Sequence, residues 1–293
     1  MTVGEPPGAQ THPPGAQTHP PGAQTHPPGK GYLLPNASNA AAERFDAFIE
    51  LFDPSTFSHM ERLGVAPGWR CWEVGAGGAS VVQWLADRVG EDGHVLATDI
   101  DVSRVQSTAD RASPQVVVRV HDAAHDPPPE GQFDLVHARL VLVHIPDRDE
   151  ALASLVSVLR PGGWLFVEDA DPALQPLSAL EVRGPEQELA NKLRSGFRAL
   201  MADRGVELAY GRTLPRLLRG AGLIDVRADA SFPVANPACD RLETATVQLI
   251  ADQLVDNGIA TVDEIELHLA NVAAGRLDLT QPPMIAAWGR RPS

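Results

Sequence analysis

Cysteine is scarce in this chain: Cys71 and Cys239 are the only two among 293 residues, far too few for a disulfide framework. Cys71 falls in an apolar stretch and reads as a core thiol. No run of about 18 uninterrupted apolar residues occurs, and the N-terminus lacks the charged-then-apolar pattern of a leader. The expectation is therefore a soluble protein of a reducing cytoplasm, without a membrane span. No run of lysines or arginines is long enough to make a basic patch, and the net charge is −14. An acidic surface repels phosphate backbones, which excludes nucleic acid as the expected partner.

What is present is ordinary globular composition, 43% hydrophobic and 21% charged, long enough to bury a substantial core. One segment departs from it. Three perfect copies of GAQTHPP begin at Gly8, Gly15 and Gly22. Rich in proline and glycine and nearly free of large apolar side chains, this segment cannot offset the entropy of ordering, and the prediction for 1–30 is a disordered tail. His12, His19 and His26 recur with the repeat, so weak metal binding stands as the alternative to a repeat without chemistry. Deleting residues 1–28 is expected to leave the melting temperature almost unchanged, and a large drop in a thermal melt would refute the tail.

Beyond Tyr32 the texture is helical. Asn36 or Ser38 can cap a helix carrying Phe45, Phe48, Ile49 and Phe52 at helical spacing, and a second short helix is predicted over 54–63. Strand and helix then alternate: strands over 70–74, 93–98, 115–120, 133–138 and 164–167, helices over 79–89, 103–111 and 148–159. Such alternation implies right-handed crossovers and a parallel sheet covered on both faces. Further on, helices are predicted over about 189–201, 213–220, 240–255 and 261–273, with strands over 223–230 and 284–289. The fold class is thus α/β, a Rossmann-like doubly wound sheet of seven mostly parallel strands with added helices capping the substrate site. Along the chain this gives the tail, a helical cap over 31–64, and a domain over 65–293 with insertions at about 172–206 and 236–280.

The chemistry gathers around CWEVGAGGAS, residues 71–80. Gly75 and Gly77 permit a tight turn and close backbone approach to a ligand, and the following helix aims its N–H groups at an anion. A dinucleotide turn, G-x-G-x-x-G, would carry a third glycine where this chain has Ser80. Glu73 is also a poor neighbour for a pyrophosphate but a good one for an ammonium group. An amino-acid ligand fits better. Asp99, 24 residues beyond Gly75, closes the second strand where a carboxylate can accept both hydroxyls of a ribose. Asp122 follows the third strand, where it can accept from an adenine amino group.

EVGAGGAS (73–80), VLATD (95–99), HDA (121–123), FDLVHARLVLVHIPD (133–147) and RPGGWLFVED (160–169) together resemble the class I S-adenosylmethionine-dependent methyltransferases, especially the bacterial small-molecule branch related to quinone biosynthesis. The likeness covers about 65–170 firmly and the remainder loosely. Ala79 stands where members often have glycine, which an already helical position accommodates. The resemblance implies S-adenosylmethionine as cofactor and a small organic metabolite as methyl acceptor. It implies Gly75, Ala76 and Gly77 along the methionine moiety, with Glu73 near its ammonium or bracing the loop. Asp99 would bind the ribose and Ile100 pack on the adenine, with Asp122 and the Ala123 backbone reading the adenine edge. Ala138 and Arg139 would border the sulfonium and the incoming nucleophile.

Methyl transfer needs a base only where the nucleophile must lose a proton. His144, just past the fourth strand, is the candidate; a capping or packing histidine is its structural alternative. His137 reads as buried structure, and Tyr32 as a lid or packing residue. Glu168, Asp169 and Asp171 crowd the end of the fifth strand, and a magnesium ion is conceivable there, though no ligand spacing supports it and no metal is expected. The competing readings are an NAD-dependent oxidoreductase and a methyltransferase-like fold that binds the cofactor without transferring methyl. A homodimer is possible.

Overall fold

A strand covered on both faces is mostly apolar along its length. Arg70–Val74 (β1), His94–Asp99 (β2) and Phe133–Arg139 (β4) are buried almost from end to end, with Glu73 and His137 as polar exceptions paired to each other. In the computed structural model, which describes Met1, Leu33, residues 39–109 and residues 114–293, these strands form the centre of a seven-stranded sheet. Val116–Val120 (β3), Leu159–Ala170 (β5), Ile224–Ser231 (β6) and Met284–Arg290 (β7) complete it in the order β3-β2-β1-β4-β5-β7-β6. Only β7 runs against its neighbours, antiparallel to both β5 and β6. Strand order reverses between β1 and β4, which opens the crevice of a doubly wound sheet beyond their carboxyl ends. The GAQTHPP repeats, Tyr32 and the cap candidates Asn36 and Ser38 lie outside the described residues.

Helices cover both faces. On one, Leu152 and Leu155 of Arg148–Ser157 (α4) and Leu214 and Leu218 of Leu214–Gly220 (α6) pack on Trp72, Val136, Leu165 and Val167. On the other, Ser80–Val89 (α2) presents Val82, Leu85 and Val89 to Cys71, Val95 and Leu135. Each such side chain contributes about 1.5–3 kcal/mol by burial. Ser103–Ala109 (α3) adds Val105 to that layer. Beyond the strand tips, Pro185–Ala202 (α5), Pro237–Asp256 (α7) and Val262–Ala273 (α8) share an apolar core of their own. Thr261 and Glu264 close the start of α8 with a reciprocal capping box. Both cysteines are free and buried. Among the described residues no helix is long and apolar enough to cross a membrane.

Two local expectations are corrected. The helices predicted before and after Pro54 are one element, Asn39–Leu63 (α1), with the proline inside it. Proline deprives one carbonyl of its donor, yet the side chains flanking it are anchored: Asp53 pairs with Arg139, and the Thr56 hydroxyl lies 3.1 Å from the Phe52 carbonyl. The RPGG segment does not simply precede the fifth strand. Phe133 pairs with Leu159 and Leu135 with Trp164, so residues 160–163 bulge out of an element that already began at Leu159. Asp134 ties that bulge down, accepting from the Arg70 amide at 2.7 Å and pairing with Arg160 at 2.6 Å.

Candidate active site at the strand tips

Where β1 turns into α2, Gly75 and Gly77 take φ of +63° and +53°, conformations costly to any residue with a Cβ. Space is short as well, severely so at Gly75 and tight at Gly77. A Cβ at Gly75 would stand 2.3 Å from Val141 Cγ2, and one at Gly77 would stand 3.3 Å from Phe45 Cε1. The elbow is therefore pressed between the tip of β4 and the lid formed by α1. The Ala76 amide donates to the Thr98 carbonyl at 2.9 Å, and the Gly77 amide donates to Asp99 Oδ2 at 2.8 Å. No side chain caps the start of α2, so its dipole end faces the same opening.

Asp99 is the centre of this corner. Its Oδ1 accepts from the Asp101 amide at 3.0 Å. Burial pushes its carboxyl above the ordinary range, while the backbone donors of Asp101 and Gly77 pull in the other direction. The Ile100 backbone also donates to this carboxylate, and of its roughly four lone-pair sites acceptor capacity remains for a ligand hydroxyl. Beside it, Ile100 is 64% exposed and Val120, at the end of β3, is 69% exposed. Large apolar side chains left open at two adjacent strand tips suit a flat apolar ligand. Trp72 supports the corner from below, donating its indole N–H to Thr98 Oγ1 at 2.9 Å.

Asp122 is placed at the next strand end but is engaged by its own loop. Its Oδ1 accepts from the Ala124 amide at 2.9 Å and its Oδ2 meets His125 Nδ1 at 2.8 Å. Burial opposes its charge, but these two partners carry its carboxyl below the usual range. Ala123 packs partly buried against the α4-side core.

At the tip of β4, Ala138 is fully buried and Arg139 follows it. Leu140 then takes φ of +58°, a strained conformation for a leucine, worth roughly 1–2 kcal/mol. That bend delivers Val141 onto the glycine elbow. His144 ends the short 3-10 turn Leu142–His144 and stands exposed.

Glu73 is buried, and its Oε2 lies 2.6 Å from His137 Nδ1. It braces the loop from within. The other ring nitrogen of His137 lies 3.2 Å from Glu168 Oε2, which also accepts from the Thr56 hydroxyl at 2.6 Å. Arg139 Nη1 donates to Thr56 Oγ1 at 3.0 Å and pairs with Asp53 at 2.8 Å. Asp53 and Thr56 went unread in the sequence because their partners lie over 80 residues away. The three acids considered for a metal serve separate ends. Glu168 faces His137 and Asp171 accepts from Arg212 Nε at 2.6 Å. Asp169 is buried against the other face of the sheet, beside Tyr210 and Arg148. Among the described residues no group of three or more acids, histidines or cysteines is arranged to hold a metal ion.

Residues 72–167 match the methyltransferase domain family. Methyltransferase GfsG of Streptomyces halstedii is 29% identical over 61% of this chain and 61% of its own. A ubiquinone/menaquinone biosynthesis C-methyltransferase of Vibrio cholerae is 37% identical over 48% of this chain and 59% of its own. The chain thus spans about three fifths of the length of these curated relatives. Among solved structures, Haemonchus contortus phosphoethanolamine N-methyltransferase 2 in complex with S-adenosyl-L-methionine aligns with a TM-score of 0.56 at 13% identity, over 88% of this chain and 58% of that one. The YcgJ protein of Bacillus subtilis aligns with 0.53 at 15% identity, over 82% and 99%. At such identities the likeness is one of fold.

Proposed function

We propose that this chain, whose residues 72–167 match the methyltransferase domain family, is a class I S-adenosylmethionine-dependent methyltransferase that transfers a methyl group from S-adenosylmethionine to a small organic acceptor. The observation that carries the reading is the corner built by Gly75, Gly77 and Asp99. Two glycines in left-handed conformations clear the backbone, and a desolvated carboxylate one strand over grips the Gly77 amide while keeping acceptor capacity. Nothing in the elbow favours the dinucleotide alternative, since Ser80, where that motif needs glycine, is already the first residue of α2.

The cofactor supplies a methyl group already activated on a sulfonium. What remains for the chain is to bind, align and exclude water, and alignment supplies roughly 7–11 kcal/mol in well-oriented systems. In this reading Gly75, Ala76 and Gly77 lie along the amino-acid end, and Asp99 receives the ribose hydroxyls. Ile100 covers the base, whose edge meets Asp122 and the Ala123 backbone. Glu73 acts through the loop, since His137 holds it. Ala138 and Arg139 border the acceptor, and His144, exposed at the rim, takes a proton where the acceptor must release one.

Asp99→Ala is expected to weaken S-adenosylhomocysteine binding at least tenfold in isothermal titration while the circular dichroism stays native. Unchanged affinity would remove Asp99 from the site. Failure of the wild-type chain to bind that probe at all would remove the cofactor reading.

A further inference from the structure

His137 is completely buried between two carboxylates, one from each neighbouring strand, and has no contact with solvent. A neutral imidazole has a single N–H and satisfies only one of them; the imidazolium has two and satisfies both. The residues beyond give the pairing a direction. Glu168 passes the connection to α1 through the Thr56 hydroxyl, and Arg139 closes it by reaching both Thr56 and Asp53. Every side chain in this path is buried or nearly so. On its strand side the path ends at Glu73, two residues before Gly75. On its helix side it ends on the element whose Phe45 lies over Gly77.

We propose that His137 is a positioning residue, an imidazolium shared by Glu73 and Glu168 that clamps α1 across the tips of β1, β4 and β5 and holds the lid down on the glycine elbow. Its consequence for ligand affinity rests on the cofactor reading above; the clamp itself does not. The charge pattern supports it. Burial opposes the positive ring, but Glu73 and Glu168 outweigh burial and raise its pKa to about 9. Burial likewise opposes the Glu168 charge, and His137, Arg139 and Thr56 carry that carboxyl below its usual range. The groups facing the ring are Glu73 from β1, Glu168 from β5, and Phe166, across which lies His59 of α1, itself paired with Asp229. With two acids bonded to it, the ring gives up its proton only in alkaline solution.

The test uses the full chain. Nitrogen-15 spectra of the His137 ring at pH 7 are expected to show both nitrogens protonated, changing only near pH 9; a neutral ring at pH 7 overturns the proposal. His137→Gln and Thr56→Val are compared by amide hydrogen exchange, and Thr56→Val cuts the Glu168 connection to α1 while leaving the Arg139–Asp53 pair in place. Exchange at α1 is expected to rise at least tenfold in both, with the sheet amides unchanged in Thr56→Val. Unchanged exchange at α1 in Thr56→Val overturns the clamp. In titration with S-adenosylhomocysteine, both variants are expected to bind at least tenfold more weakly, and wild-type affinity to fall above pH 9. Wild-type affinity in both variants overturns the link to the elbow. If the wild-type chain does not bind this probe, the cofactor reading fails and the exchange experiment still decides the clamp.

Discussion

Gly75→Ala is expected to bind S-adenosylhomocysteine about thirtyfold more weakly or worse, while retaining its secondary structure. Two costs combine at this position. A residue with a Cβ pays roughly 1–2 kcal/mol to hold φ at +63°. The new methyl would also stand 2.3 Å from Val141 Cγ2. Valine is β-branched and stiff at χ1, and it is delivered there by the left-handed Leu140, so relief requires the β4 tip to move. Overpacking of that kind costs about 1–3 kcal/mol. The total is about 2–5 kcal/mol, and the lower bound alone corresponds to roughly thirtyfold in affinity. Isothermal titration and a thermal melt divide the loss between binding and folding. The double variant Gly75→Ala/Val141→Ala separates the two causes, because it restores space but not the backbone conformation. Partial recovery is the expected result. Normal binding by Gly75→Ala would show that the elbow does not face the ligand.

Asp169→Asn is expected to stabilise the protein above neutral pH. The carboxyl is fully buried, and neither oxygen finds a partner in hydrogen-bond geometry; the Val143 amide faces it without reaching that geometry. Burial raises its pKa well above the ordinary range, with Glu168 adding to the shift and Val143 and Arg148 opposing it. The Tyr210 hydroxyl beside it is also buried without a partner, and burial together with Asp169 pushes that phenol up. The folded pKa thus exceeds the unfolded value of about 3.9. The stability of the neutral acid is complete below that value and is lost as pH rises through the folded pKa, by up to about 1.4 kcal/mol per pH unit. Asparagine resembles the neutral acid in shape and cannot ionise. The melting temperature of Asp169→Asn should match wild type near pH 4 and exceed it by at least about 3 °C at pH 8. A difference that stays flat between pH 5 and 8 would show that Asp169 is not a stranded acid.

The strand and helix alternation of residues 70–167 was legible because each element writes its own period. Short apolar-rich runs such as VLAT and FDLV mark strands covered on both faces, and Val82, Leu85 and Val89 recur on one side of a helix. The seven strands stand where the pattern places them, with ends differing by a few residues. Pro54 misled because proline stops an isolated helix, whereas here Asp53 and Thr56 beside it are anchored to Arg139. The glycine elbow was legible through its residue types. Its tightness was not, since Val141 and Phe45 approach Gly75 and Gly77 from opposite sides of the sequence.

The chain alone determined the alternation of strands and helices, the glycine turn and the carboxylate that ends the second strand, because these follow from local periodicity and backbone freedom. Only the tertiary structure decided what each acid does. Glu73, Asp169 and Asp171 are all plain carboxylates in the sequence, yet one holds a buried histidine, one is stranded without a partner in hydrogen-bond geometry, and one binds an arginine. The physical reason is that a carboxylate's state depends on burial and on partners within a few ångströms. Sheet register brings those partners together across long intervals of sequence.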